Sequence, residues 1–173
     1  MFFDIVYYGI FNFITDYSMP ITELAPAVEE RGFDSLWLPE HTHIPTSRKS
    51  PYPEADELPN EYLHTLDPFV TLAAAATVTN TLKLGTGITL IIERDTITTA
   101  KSAATLDFLS GGRLQFGLGG GWNQEEAEHH GTEWGSRFKR LEEQMQALKM
   151  IFTEDEAEFH GKYVDFDPIW AWP

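Results

Sequence analysis

Cysteine is absent from the 173 residues, which excludes disulfides and thiol chemistry and fits a reducing cytoplasm. Basic residues are scarce: 12 Lys and Arg stand against 27 Asp and Glu, a formal net charge of −15. Such a surface repels phosphate backbones and anionic lipid, so neither nucleic acid nor a membrane is an expected partner. No apolar run reaches the ~20 residues that span a bilayer. The opening MFFDIVYYGIF is apolar but carries Asp4 and no basic residue, unlike a secretory leader. Sequence repeats are lacking, and so is a linker that would divide the chain. These absences lead to the expectation of one cytoplasmic domain over 1–173. At 42% hydrophobic residues it can bury a sizeable core.

What is present alternates. FFDIVYY (2–8) reads as a strand ended by Gly9, and Pro20 opens a helical pattern through ITELAPAVEERG with Gly32 as its stop. Pro26 inside that pattern shifts or kinks the helix. SLWLP (35–39) is the continuous apolar run of a strand buried on both faces. A long polar segment from Glu40 to Leu66 holds four prolines, a length usually reserved for functional loops. Asp67-Pro68 restarts a helix as cap and first residue, and LKLGTGITLI (82–91) is a strand whose Gly85 and Gly87 suggest a bulge or a ligand's close approach. TTAKSAATLDFLSGG (98–112) is a helix stopped by glycine, and RLQFGLG (113–119) is a strand. Trp134, Phe138, Leu141, Met145, Leu148 and Phe152 mark an amphipathic helix, and 157–167 a hairpin about His160-Gly161. The order predicts an α/β protein with parallel βα repeats, either a doubly wound sheet or part of a barrel. A complete eight-fold barrel takes about 250 residues, so about four βα units fit here.

The run GLGGGWNQEE (117–126) raises the question of a phosphate loop. A dinucleotide fingerprint needs glycine or alanine where Trp122 stands, and a P-loop needs a lysine that is missing. The run also follows the fourth strand, not the first. It reads instead as a side-chain-poor strand end beside a large aromatic. In a parallel sheet the strand C-termini share one rim, which gathers Glu40-His41, Gly87-Ile88 and Gly121-Trp122. Glu40 beside His41 is the acid/base candidate. His41 and His43 form an HxH pair of the kind that binds metal in barrel hydrolases, but the later strands supply no further ligands, so no metal is expected.

LWLPEHTHIP, LDPFVTLAAAATVTNTLKLGTGITL, AKSAATLDFLSGGRLQFGLGGGWNQEE and FHGKYVDFD, in this order, resemble the luciferase-like monooxygenases, closest to their F420-dependent oxidoreductase branch. The resemblance covers nearly the whole chain. It implies a TIM-type barrel that binds coenzyme F420, or alternatively FMN, at its C-terminal rim. The ring would stack over the bulged third strand at a non-proline cis peptide near Gly87-Ile88. Glu40 and His41 match the family's acidic-His pair, and Trp122 and Asn123 match pocket-lining positions. The implied chemistry is hydride transfer with a small organic substrate, or oxygen activation in flavin-using relatives. The family's barrel continues for another half beyond this length, so the chain is expected to be a truncated luciferase-like domain. Its open edges would be covered by a second copy in a homodimer. Two rival readings are a non-catalytic half-barrel module and a metal-dependent hydrolase using His41 and His43.

Overall fold

The computed structural model describes residues 6–173. Strands β1 (Gly9–Phe11), β2 (Ser35–Leu38), β3 (Lys83–Leu90) and β4 (Leu114–Gly119) lie side by side in chain order. All neighbours are parallel, with Gly9 opposite Ser35, Ser35 opposite Lys83, and Leu84 opposite Leu114. The crossovers are helical: α1 (Ile21–Glu30), a short α2 (Glu61–His64) with α3 (Pro68–Ala76), and α4 (Thr96–Ser110). After β4 come α5 (Gln124–His129) and α6 (Arg137–Thr153), then an antiparallel hairpin of β5 (Ala157–His160) and β6 (Asp165–Ile169). Among the described residues no helix is long and apolar enough to cross a membrane.

Local chemistry sets the helix ends. Asp67 and Asp95 each accept a hydrogen bond from the backbone N–H three residues on, at Val70 and Thr98, satisfying a donor that a helix start leaves free. Gly111 ends α4 in the left-handed conformation, at φ 69°. Pro26 is carried inside α1.

Strand alternation separates two faces. Leu36, Leu38 and Leu84 point to the helices and pack with Ala25, Val28, Leu72, Ala75 and Leu106. A second cluster joins Ile91, Ile92, Ala100, Leu148, Ile151 and Ala157 under α6 and the hairpin. On the opposite face the Trp37 ring lies flat over Gly85, and the Ile88 side chain lies over Gly119; a Cβ at either glycine would collide with it.

Several elements depart from expectation. The first strand begins at Gly9, where it was expected to end. Residues 2–5 of the expected strand lie outside the described residues. The backbone of Tyr8 exchanges hydrogen bonds with Asp34, and parallel pairing starts only at Gly9 against Ser35. Trp37 is half-buried rather than enclosed on both faces, because it stands on the face away from the helices. The 40–66 segment contains α2, and α5 was not anticipated. The apolar stripe of α6 is split: Leu148 is buried beside Gln144, Ala147 and Ile151, while Phe138, Met145 and Phe152 are exposed.

Candidate functional site

At the C-terminal ends of the strands a cavity of about 310 Å³ opens between Phe11, His41, Tyr62, Ile88 and Trp122. That is at the small end of ligand pockets, which run from about 300 to 1,000 Å³. Glu40, Gly87, Leu90 and Gly121 complete much of its wall. The strand ends bring six of the seven predicted residues to it. The seventh, Asn123, lies behind the wall: it is buried and caps α5, accepting from Glu126 N at 3.2 Å.

The floor is the bulge of β3. The pairing of β3 with β4 skips between Thr86 and Thr89, and the Gly87–Ile88 peptide is cis. The glycines of the run divide into two kinds. Gly117 gives room to the Thr86 carbonyl and Gly119 to Ile88, so these two accommodate the bulge rather than a ligand. Gly121 lines the cavity, at φ 61° where a side chain would be strained.

His41 is the imidazole that lines the cavity. Its Nδ1 donates to Glu126 Oε2 at 2.7 Å, with the two side chains 6% and 0% exposed. Nε2 has no partner among the described residues. Trp122 meets the ring edge-on at a centroid distance of 5.7 Å, and Tyr62 packs against it at 5.1 Å. Burial pushes the Tyr62 hydroxyl's pKa up, reinforced by its contact with Tyr52. Glu126 also accepts from the Thr42 and His43 backbone N–H groups, which anchors the loop after β2 to α5. Such a carboxylate fixes the tautomer and orientation of its histidine.

Glu40 does not pair with His41. One of its oxygens accepts from Leu90 N at 2.7 Å and the other from Arg94 Nε at 2.6 Å, and Arg94 continues to Asp67 at 2.7 Å. Burial pushes the Glu40 carboxyl up, against the pull of Arg94 and the Leu90 N–H. Its geometry is that of a tie between the ends of β2 and β3. Behind Gly121 stands Glu93, its side chain 2% exposed and its Oε2 without a hydrogen-bond partner. Burial, with Glu126 and Glu40 nearby, pushes its carboxyl up to about 9.

His41 and His43 diverge: His43 pairs with His129 at 2.8 Å, not with His41. Among the described residues no group of three His, Asp or Glu could hold a metal. The sequence reading missed Glu126, although Asn123 three residues before an acid is a helix-start signature. It also missed Phe11 and Tyr62, which sit on a strand end and in a loop with no pattern of their own. A larger cleft of about 480 Å³ lies elsewhere, between α4, β4 and Phe152, and among the described residues Asp107 is its only ionisable side chain.

The family model for luciferase-like monooxygenases matches residues 16–173. The Rv0953c protein of Mycobacterium tuberculosis is 42% identical over 171 residues, covering 97% of this chain and 61% of that protein. A 5,10-methylenetetrahydromethanopterin reductase of Methanolobus tindarius is 27% identical, covering 92% and 42%. Among solved structures, the monooxygenase RslO1 of Streptomyces bottropensis superposes with a TM-score of 0.80 at 25% identity, over 97% of this chain and 49% of that one. The coenzyme F420-dependent tetrahydromethanopterin reductase of Methanopyrus kandleri gives 0.67 at 23%, a likeness of fold, over 96% and 46%. The chain thus spans about half to three-fifths of the length of most of these proteins.

Proposed function

The chain belongs to the luciferase-like monooxygenase family, and from that premise we propose that its rim cavity takes the flat ring of a deazaflavin, coenzyme F420, with FMN as the alternative. The protein then serves hydride transfer between that ring and a small organic substrate. The observation that carries this reading is the His41–Glu126 pair standing over a floor of bare backbone.

The residues suit a planar, mostly apolar guest. The Gly87–Ile88 bulge and Gly121 present main chain without bulk, and Phe11, Ile88, Leu90 and Trp122 present apolar walls. Among the described residues no Lys or Arg lines the cavity, so these residues suit a ring and not a phosphate tail. A bound deazaflavin supplies a ring carbon that gives or takes hydride. His41, held by Glu126 through Nδ1, offers Nε2 to take or return the proton that accompanies such a transfer. Trp122 and Tyr62 fix the imidazole plane and keep water from it. Preference for F420 over FMN rests on the sequence resemblance to the F420-dependent branch.

The test is fluorescence titration of the chain with F420 and with FMN. Saturable binding of at least one is expected, weakened in a Trp122→Ala variant that removes one apolar wall of the cavity. Failure of both to saturate up to about 1 mM, an affinity of roughly 4 kcal/mol, overturns the proposal in favour of a non-catalytic module.

A further inference from the structure

Outside the cavity lining, three histidines converge that the proposed chemistry leaves unused. His43 Nε2 lies 2.8 Å from His129 Nδ1, with the rings stacked at an 11° angle. The Thr42 hydroxyl stands between them and the interior: it is 2.9 Å from His43 Nδ1, 2.7 Å from His130 Nε2 and 3.4 Å from Glu126 Oε1. Glu126 has no exposed surface and its other oxygen holds His41, whereas Thr42, His129 and His130 are exposed. The hydroxyl is therefore the step between a sealed carboxylate and imidazoles in contact with water.

We infer that His43, His129 and His130 collect protons from solvent and exchange them with His41 through the Thr42 hydroxyl and the Glu126 carboxylate. Imidazole is the side chain suited to this, because it gains and loses protons near neutrality. Each hop breaks one N–H or O–H bond and makes another. Outward, His41 Nδ1–H passes its proton to Glu126 Oε2. A half-turn of the carboxyl group then presents that proton to Thr42 Oγ1. Thr42 releases its own hydroxyl proton to His130 Nε2 or His43 Nδ1, and solvent removes it. The inward passage reverses these steps, and no other reactant is consumed. The charges facing the path are Glu93 beside His130, at 3.9 Å, and Arg94 beyond it. Thr42, His43, His129 and His130 are positioning residues that act through His41. The use made of the protons rests on the role proposed for His41; the path itself does not.

The experiment needs no cofactor. The exchange of the Glu126-bound His41 imidazole proton with water is measured by magnetisation transfer in nitrogen-15-labelled protein. Thr42→Val is expected to slow it at least about tenfold, the loss of one hydrogen-bonded step, while Thr42→Ser restores it. A His43→Ala/His130→Ala variant should slow it too, and added free imidazole should speed it again. Exchange at the parent rate in Thr42→Val means that the proton leaves through the cavity, and overturns the inference. If Thr42→Val does not fold, the histidine variant decides: parent-rate exchange, or no response to imidazole, overturns it equally. Cofactor binding is read separately, so failure of one proposal leaves the other standing.

Discussion

Glu93 is a residue whose chemistry departs far from its type. In the unfolded chain its carboxyl titrates in the ordinary range; in the fold, burial and the neighbouring Glu126 and Glu40 push it up to about 9. Between those values the folded state holds a proton that the unfolded state has lost, so stability falls as pH rises. Its contribution is fully present below the ordinary carboxylate range and gone by about pH 9. Glu93→Gln keeps the shape and stays neutral. The variant should match the parent near pH 5 and exceed it by about 2 kcal/mol near pH 8, at 1.36 kcal/mol per pKa unit discounted for partial solvation. Urea unfolding of both proteins across that range measures it. Parallel profiles would show that Glu93 ionises normally. The same pH window bears on the site, because an ionised Glu93 would place a negative charge behind Gly121 at the cavity wall.

Among elements, one side chain gathers several ends at once. Arg113, 7% exposed, donates to Thr79 Oγ1 at 2.8 Å and to the carbonyls of Ala76, Thr79, Leu82 and Ser110 at 2.6–3.1 Å. It ties the end of α3, the entry to β3 and the end of α4 into one knot at the N-terminal rim, opposite the cavity. Arg113→Met retains bulk and strands those acceptors, at an expected cost of about 3 kcal/mol in denaturant unfolding. A change below about 0.5 kcal/mol, the range of ordinary surface substitutions, would refute the tie. The elements themselves were largely legible, because Asp67-Pro68, the Gly111-Gly112 stop and the alternation of apolar periods are local signals. The β3 bulge was legible through Gly85 and Gly87, though Gly85 answers to Trp37 and only Gly87 to the cavity. The pairing of His41 with Glu126 was not legible. It joins positions 85 residues apart, and the adjacent Glu40 offered a plausible but wrong partner. Arg113 and Glu93 were hidden for the same reason, since burial of a charged residue is decided by contacts remote in sequence.

For the whole molecule, what is left uncovered matters most. β4 pairs only with β3 among the described residues, and beside it Phe108, Phe138, Met145 and Phe152 are exposed, with Trp170 and Trp172 also exposed. Apolar surface of this kind seeks a partner. We propose that a second copy of this chain provides it, so that light scattering should find twice the 19.6 kDa chain mass. A monomer at concentrations up to about 100 μM would sink that assignment, because contact of a large apolar face should give micromolar affinity or better. Electrostatics adds a sharper test. Each copy carries a formal charge of −15, so the two repel, and the repulsion is screened over about 10 Å at 0.1 M salt. An association driven by Phe138, Met145 and Phe152 should therefore tighten as salt is raised. One built on ion pairs would loosen. Substituting Phe152→Ser and Met145→Ser together should abolish the salt-strengthened species while leaving the cavity, which neither residue lines, unchanged.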